Sequence, residues 1–176
     1  PTIAGTYSVV ITVDDGNGGT ATQSFDISIP FPPKTYVPDD NFEAYLETHN
    51  ASGNTVSIGD PASMGDGIAS NDSVLTLRIS GVTYLNVPGL NIQDLSGIEG
   101  FGSLDELRCY NNQLTSLDLS NNTLLYELWC ENNNITNLDF SNNTLLNELR
   151  CSNNNITNLD LSNNALLYEL FCDNNN

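Results

Sequence analysis

The chain has 176 residues, enough for one or two domains, and its 22 acidic residues against four basic ones give a formal net charge of −18. A field of that sign repels phosphate backbones and anionic lipid surfaces, which argues against nucleic-acid and membrane-surface binding. No apolar run reaches the ~18 residues of a bilayer-spanning helix, so no membrane insertion is expected of this stretch.

In chain order, the first signal is a β-hairpin. Alternating runs from Thr6 to Val13 and from Ala21 to Ile29 flank a turn carrying Asp15-Gly16 and Gly18-Gly19. Two strands alone are marginal, so further strands are expected upstream of Pro1. On its Gly-Thr-Tyr start and Asp-Gly-Asn-Gly-Gly turn, segment 1–30 resembles the last two strands of a cadherin-like or immunoglobulin-type sandwich. Asp14 and Asp15 are candidates for calcium, or simply for a solvated turn. Pro30-Phe31-Pro32-Pro33 opens a stiff linker, assigned to 31–36.

Residues 37–81 read as an N-terminal cap. Asp39 and Asp40 suit a helix start, and Phe42, Tyr45 and Leu46 form an i, i+3, i+4 apolar stripe. The Gly-, Ser-, Asn- and Asp-rich stretch 50–73 is expected to be loop. Strands are expected from Val74 to Ile79 and from Val82 to Val87.

The rest of the chain is periodic. Its four cysteines, Cys109, Cys130, Cys151 and Cys172, are spaced 21 residues apart, and the flanking sequence repeats with them. A period in this range signals a solenoid whose coils bury their apolar faces against each other. Parallel side-chain vectors on stacked coils do not suit disulfides, so the thiols are expected to form a buried, reduced ladder. Residues 82–103 form a divergent first coil in which Val87 takes the cysteine slot and Leu90 the asparagine slot. The pattern L-x-x-L-x-C-x-x-N-x-L is met by Leu104, Leu107, Cys109, Asn112 and Leu114, and again at each following coil. It matches the leucine-rich repeat with cysteine in place of the third leucine. More narrowly, residues 36–176 resemble the internalin-type repeats of bacterial surface proteins, particularly those with 21-residue coils and a cysteine ladder. The resemblance implies one short parallel strand per coil over 82–176, an exposed location outside the cell, and a binding role. The chain is read as a piece of a longer protein, and its last coil, left without a cover on Leu161, Leu166, Leu170 and Cys172, is expected to be open.

Leucines, cysteines and the ladder Asn112, Asn133, Asn154 and Asn175 are expected inside, the amides serving backbone groups at each corner. Outward on the strand side run Glu106, Glu127, Glu148 and Glu169, then Arg108, Trp129, Arg150 and Phe171, then Tyr110, Glu131, Ser152 and Asp173. The Arg-aromatic column has the composition of a binding hot spot, so Arg108, Trp129, Arg150 and Phe171, with Glu127, Glu148 and Tyr110, are the candidate ligand residues on a concave face. The alternative is a stripe satisfied internally, with each arginine paired to a neighbouring glutamate. Asp118, Asp139 and Asp160 form an acidic ladder on the opposite side, and Asp60, Asp66, Asn71 and Asp72 an acidic loop. Both are weak candidates for calcium, and no other cofactor is expected. The lone His49 accompanies no nucleophile motif, so no enzyme activity is expected. The expected function is an extracellular adhesion or recognition module for a protein or glycan. The alternatives are a structural spacer and an accessory module of a secreted hydrolase.

Overall fold

The computed structural model describes residues 5–14 and 16–176, so the calcium candidate Asp15 lies outside the described residues. The chain forms two compact units, Pro1–Pro33 and Lys34–Asn176. In the first, β1 (Gly5–Asp14) pairs antiparallel with β2 (Thr20–Ile29). The register sets Val9 opposite Phe25 and Val13 opposite Ala21, so one face collects the apolar residues. Ser8 and Asp26 face each other on the other side, where the Ser8 hydroxyl donates to the Asp26 carboxylate. Asp14 accepts the amide of Gly16 at 2.7 Å and so serves the turn itself.

The second unit opens earlier than the sequence suggested. β3 (Lys34–Tyr36) takes the last three residues of the expected linker, because Thr35 is buried and pairs across to Val74 of β4 (Ser73–Leu75). The expected strand from Val74 to Ile79 likewise ends at Leu75. Thr76–Ile79 turns into the short helix α2, which buries Ile79, leaves Leu77 outside, and lets Arg78 donate to the Gly65 carbonyl at 2.6 Å.

The cap helix α1 (Asp40–Thr48) starts where the sequence placed it. One carboxylate oxygen of Asp39 accepts the amides of Asn41 and Phe42, as an N-cap does. Its other oxygen accepts the amides of Gln93 and Asp94, which fastens the helix to the first coil. Phe42 and Leu46 are fully buried on the inner face. Gly97, with φ of 103°, lies so close to β3 that a Cβ there would sit 2.7 Å from Val37 Cγ2. Only glycine allows that approach.

From here the chain winds as a solenoid. β5 (Tyr84–Asn86), β6 (Glu106–Arg108), β7 (Glu127–Trp129), β8 (Glu148–Arg150) and β9 (Glu169–Phe171) form a five-stranded parallel sheet in sequence order. Their middle residues Leu85, Leu107, Leu128 and Leu149 point inward and are buried. Cys109, Cys130 and Cys151 are buried free thiols, whereas Cys172 is exposed. Burial holds the Cys109 and Cys130 thiols protonated far above their ordinary range and pushes Cys151 up to about 12.

The corners are held by asparagine. Asn111, Asn132, Asn153 and Asn174 adopt left-handed backbone, with φ of 56–58°, a region asparagine tolerates better than most residues. The next residue then turns its amide inward. Asn133 donates to the carbonyls of Cys109 and Cys130 and accepts the amide of Leu114; Asn154 does the same one coil on. A second buried ladder, Asn122, Asn143 and Asn164, spans the opposite side. Asn143 donates to the carbonyls of Leu119 and Asn122, and Asn164 to those of Phe140 and Asn143. This second ladder is absent from the expectations above, because in each Asn-Asn pair one asparagine is exposed and its neighbour buried.

Candidate functional site

The sheet register decides which outward side chains meet. Arg108 stands opposite Trp129, Trp129 opposite Arg150, and Arg150 opposite Phe171, so the four form one column across four strands. Within it the groups interleave. The Arg108 guanidinium lies 3.7 Å from the centre of the Trp129 ring and the Arg150 guanidinium 4.2 Å from it. Arg150 also lies 4.7 Å from the Phe171 ring, and Arg108 5.6 Å from Tyr84. Cationic planes and aromatic faces attract in this arrangement, each pair contributing roughly 0.5–1 kcal/mol at exposed sites.

Each arginine is also held along its own strand. Arg108 forms an ion pair with Glu106, and Arg150 donates from Nε to Glu148. The guanidiniums are accordingly half-buried, with the side chains 29% and 32% exposed. Glu127 has no arginine two residues on, because Trp129 fills that slot. Desolvation, then the flanking charges of Glu106 and Glu148, raise its pKa above the ordinary carboxylate range, against the pull of Arg108 and Arg150.

Buried polar atoms without a hydrogen-bond partner occur in several coils, at Asn86, Asn122, Asn143 and Asn164 among others, and the middle coil holds two on its outer side. Trp129 Nε1 is buried and has no hydrogen-bond partner among the described residues, and neither has Glu131 Oε2. Desolvation raises the Glu131 pKa as well. The Tyr110 ring lies 6.5 Å from that of Trp129, so the candidate Tyr110 borders the same spot. All seven sequence-derived candidates therefore lie on the sheet side of β6–β9 or just after these strands, and Glu131 joins them for a reason no sequence pattern carries: its buried oxygen.

No protein-family model matches the sequence, and no curated protein sequence matches it. Among solved structures, the functional domain of InlJ from Listeria monocytogenes, which includes a cysteine ladder, superposes with a TM-score of 0.66. It is 32% identical and the match covers 82% of this chain and 29% of that one. The internalin InlF from the same species gives a TM-score of 0.64 at 26% identity, over 78% of this chain and 37% of that one. The repeat unit has the internalin-type leucine-rich repeat fold.

The chain spans 29% and 37% of the length of these two internalins. The internalin-type scaffold explains where its remaining polar groups go. Asp118, Asp139 and Asp160, the weak calcium ladder, each accept the amide two residues on, from Ser120, Ser141 and Ser162, and the hydroxyl and amide of that serine, the hydroxyl foremost at Asp118, hold their carboxyls below the ordinary range. In the acidic loop, Asp66 pairs with Lys34 at 2.6 Å and accepts from Asn71, while Asp60 accepts the amide of Ala62. Asp40, Glu43 and Asp72 bring carboxylate oxygens within 4.8 Å of one another, the one acidic group of cation-holding dimensions among the described residues. Glu43 is already engaged there by the amides of Asn71 and Asp72. His49 stacks its ring on Tyr45 at 4.0 Å at the end of α1. No helix among the described residues is long and apolar enough to cross a membrane.

Proposed function

We propose that this chain is a recognition module of a secreted or surface-exposed protein, and that the sheet face of its internalin-type repeats binds a protein partner centred on Trp129. The observation that carries this reading is the outer side of the middle coil. Arg108 and Arg150 are matched by Glu106 and Glu148, but between them a buried indole N–H and a buried carboxylate oxygen have no partner. Buried polar atoms are satisfied in most folded proteins, and a partner that supplies an acceptor and a donor here satisfies both. Aromatic and arginine side chains are also those on which interface energy concentrates.

A second reading, the structural spacer, draws on the ion pairs and the Arg-Trp-Arg-Phe stack, which close much of the column on itself. Trp129 is the only tryptophan in the chain, so its emission separates the two. Extracellular protein domains and a panel of glycans are titrated against the chain. A protein that shifts the Trp129 emission, and whose affinity falls by about 2 kcal/mol in Trp129→Ala, supports the recognition reading. A glycan that does so instead replaces the partner class. If Trp129→Ala lowers the unfolding midpoint and no added molecule perturbs the wild-type emission, the column is scaffold and the spacer reading stands.

A further inference from the structure

A second surface borders the sheet face and no part of the reading above uses it. In each full repeat a leucine precedes the leucine that opens the next coil, which is buried at Leu125 and Leu146 and partly buried at Leu167: these are Leu124, Leu145 and Leu166. They do not belong to the core. Leu124 is 48% and Leu145 40% exposed, although coils cover both of them on either side. Tyr126, two residues after Leu124, is 46% exposed, and Tyr168 stands in the same slot two coils on. The backbone keeps this slot in line: the Tyr126 amide donates to Asp105, Asn147 to Tyr126 and Tyr168 to Asn147, at 2.7–2.8 Å. Apart from Gln113, Tyr126 and Ala165, the other open positions between Asp105 and Leu166 hold Asn, Thr, Ser and Asp, so a leucine there three times in succession stands out from its surroundings. Contiguous exposed apolar side chains mark interaction surfaces.

The charge around the ridge selects the partner. Asp105, Glu127, Glu148 and Glu169 flank it on the strand side, and the two nearby arginines are held by Glu106 and Glu148. A second copy of this chain, at −18, would bring acid against acid. The spacing selects the partner's shape. Parallel strands repeat every ~4.8 Å, so Leu124 and Leu166 are separated by about 9.6 Å along the stack. Seven residues of an α-helix rise about 10.5 Å, and its i, i+3 or i+4 and i+7 side chains share one face. We propose that the Leu124–Leu145–Leu166 ridge docks an amphipathic helix of a partner protein, lying along the stacking direction, with apolar residues at i, i+4 and i+7 and lysine or arginine on its flanks.

The test uses a synthetic helical peptide with leucines at those positions and lysines elsewhere. A peptide of the same composition with the leucines scattered is its control, since any cationic peptide is drawn to this chain. At roughly 0.15 M salt, where long-range attraction is screened, the patterned peptide should bind about tenfold tighter than the scattered one. The Leu124→Ser/Leu145→Ser double variant should lose that preference while keeping the wild-type unfolding midpoint and the wild-type affinity for the scattered peptide. Trp129→Ala should keep the preference, which separates this surface from the sheet face. Equal binding of the two peptides, a preference that survives in the double variant, or its loss in Trp129→Ala overturns the proposal. So does a wild-type dimer that the double variant abolishes.

Discussion

The cap and the repeats face the same difficulty and solve it with different chemistry. Both contain irregular backbone whose amides lie outside the regular bonding of helix and sheet and need other acceptors. In the cap, buried carboxylates serve them: Glu47 accepts the amides of Asp66 and Gly67, and Glu43 those of Asn71 and Asp72. In the repeats the same office falls to Asn112, Asn133, Asn154 and Asn175, which accept the amides of Ile92, Leu114, Ile135 and Ile156. A carboxylate only accepts, so its bonds end with it, whereas an amide accepts on one side and donates on the other. Asn133 can therefore take the amide of Leu114 and hand its own N–H groups to two carbonyls, joining one coil to the next. Carboxylates stacked at that period would also repel: on the outer face the pKa of Glu127 is raised by desolvation first and then by the charges of Glu106 and Glu148. A structure met once can use charge; one that propagates needs a neutral, two-way connector.

The strongest way to break this comparison is Asn133→Ala, which strands the buried amide of Leu114 and takes one of two asparagine donors from each of the carbonyls of Cys109 and Cys130. It should destabilise the repeat unit by about 3 kcal/mol in urea denaturation followed by Trp129 emission. Glu47→Gln, in the cap, keeps shape and one acceptor but loses the charge on its bonds, for a loss of about 1–2 kcal/mol by the same assay. Asn175→Ala makes the same chemical change as Asn133→Ala on a coil where water reaches the asparagine, so it should cost less than ~1 kcal/mol. Equal effects at Asn133 and Asn175 would mean that burial does not set what these inter-coil bonds are worth. The smallest effect sharpens the charge half of the argument. Because the folded pKa of Glu127 lies above its ordinary 4.5, its ionisation disfavours the fold above that folded pKa, and the penalty vanishes below 4.5. Glu127→Gln should therefore raise the unfolding midpoint slightly at neutral pH and leave it unchanged once the acid is protonated.

How much of this was legible depended on whether a signal repeated. The leucine, cysteine and Asn112-type positions recur at a fixed period, so their burial and register could be read before any coordinate. The Asn122, Asn143 and Asn164 ladder recurs as faithfully but sits among exposed asparagines of the same type, and composition alone does not say which of them turns inward. The Val74–Ile79 run reads as a strand because its β-branched residues favour one, while tertiary contacts decide otherwise: β3 pairs only as far as Leu75, and Arg78 bonds the Gly65 carbonyl. At the candidate site, the alignment of Arg108, Trp129, Arg150 and Phe171 followed from the period. Their half-burial, the ion pairs and the unpartnered atoms of Trp129 and Glu131 did not, since these depend on how long side chains pack.

The cysteine ladder gives each coil a reporter. A thiol reacts with alkylating reagents as the thiolate, and burial holds Cys109, Cys130 and Cys151 protonated and out of reach. Each can be modified only when its own coil opens, while the exposed Cys172 reacts without any opening. The labelling rates of the four positions, followed by mass spectrometry under native conditions, therefore measure how far fraying travels inward along the stack, one coil at a time, with no residue changed.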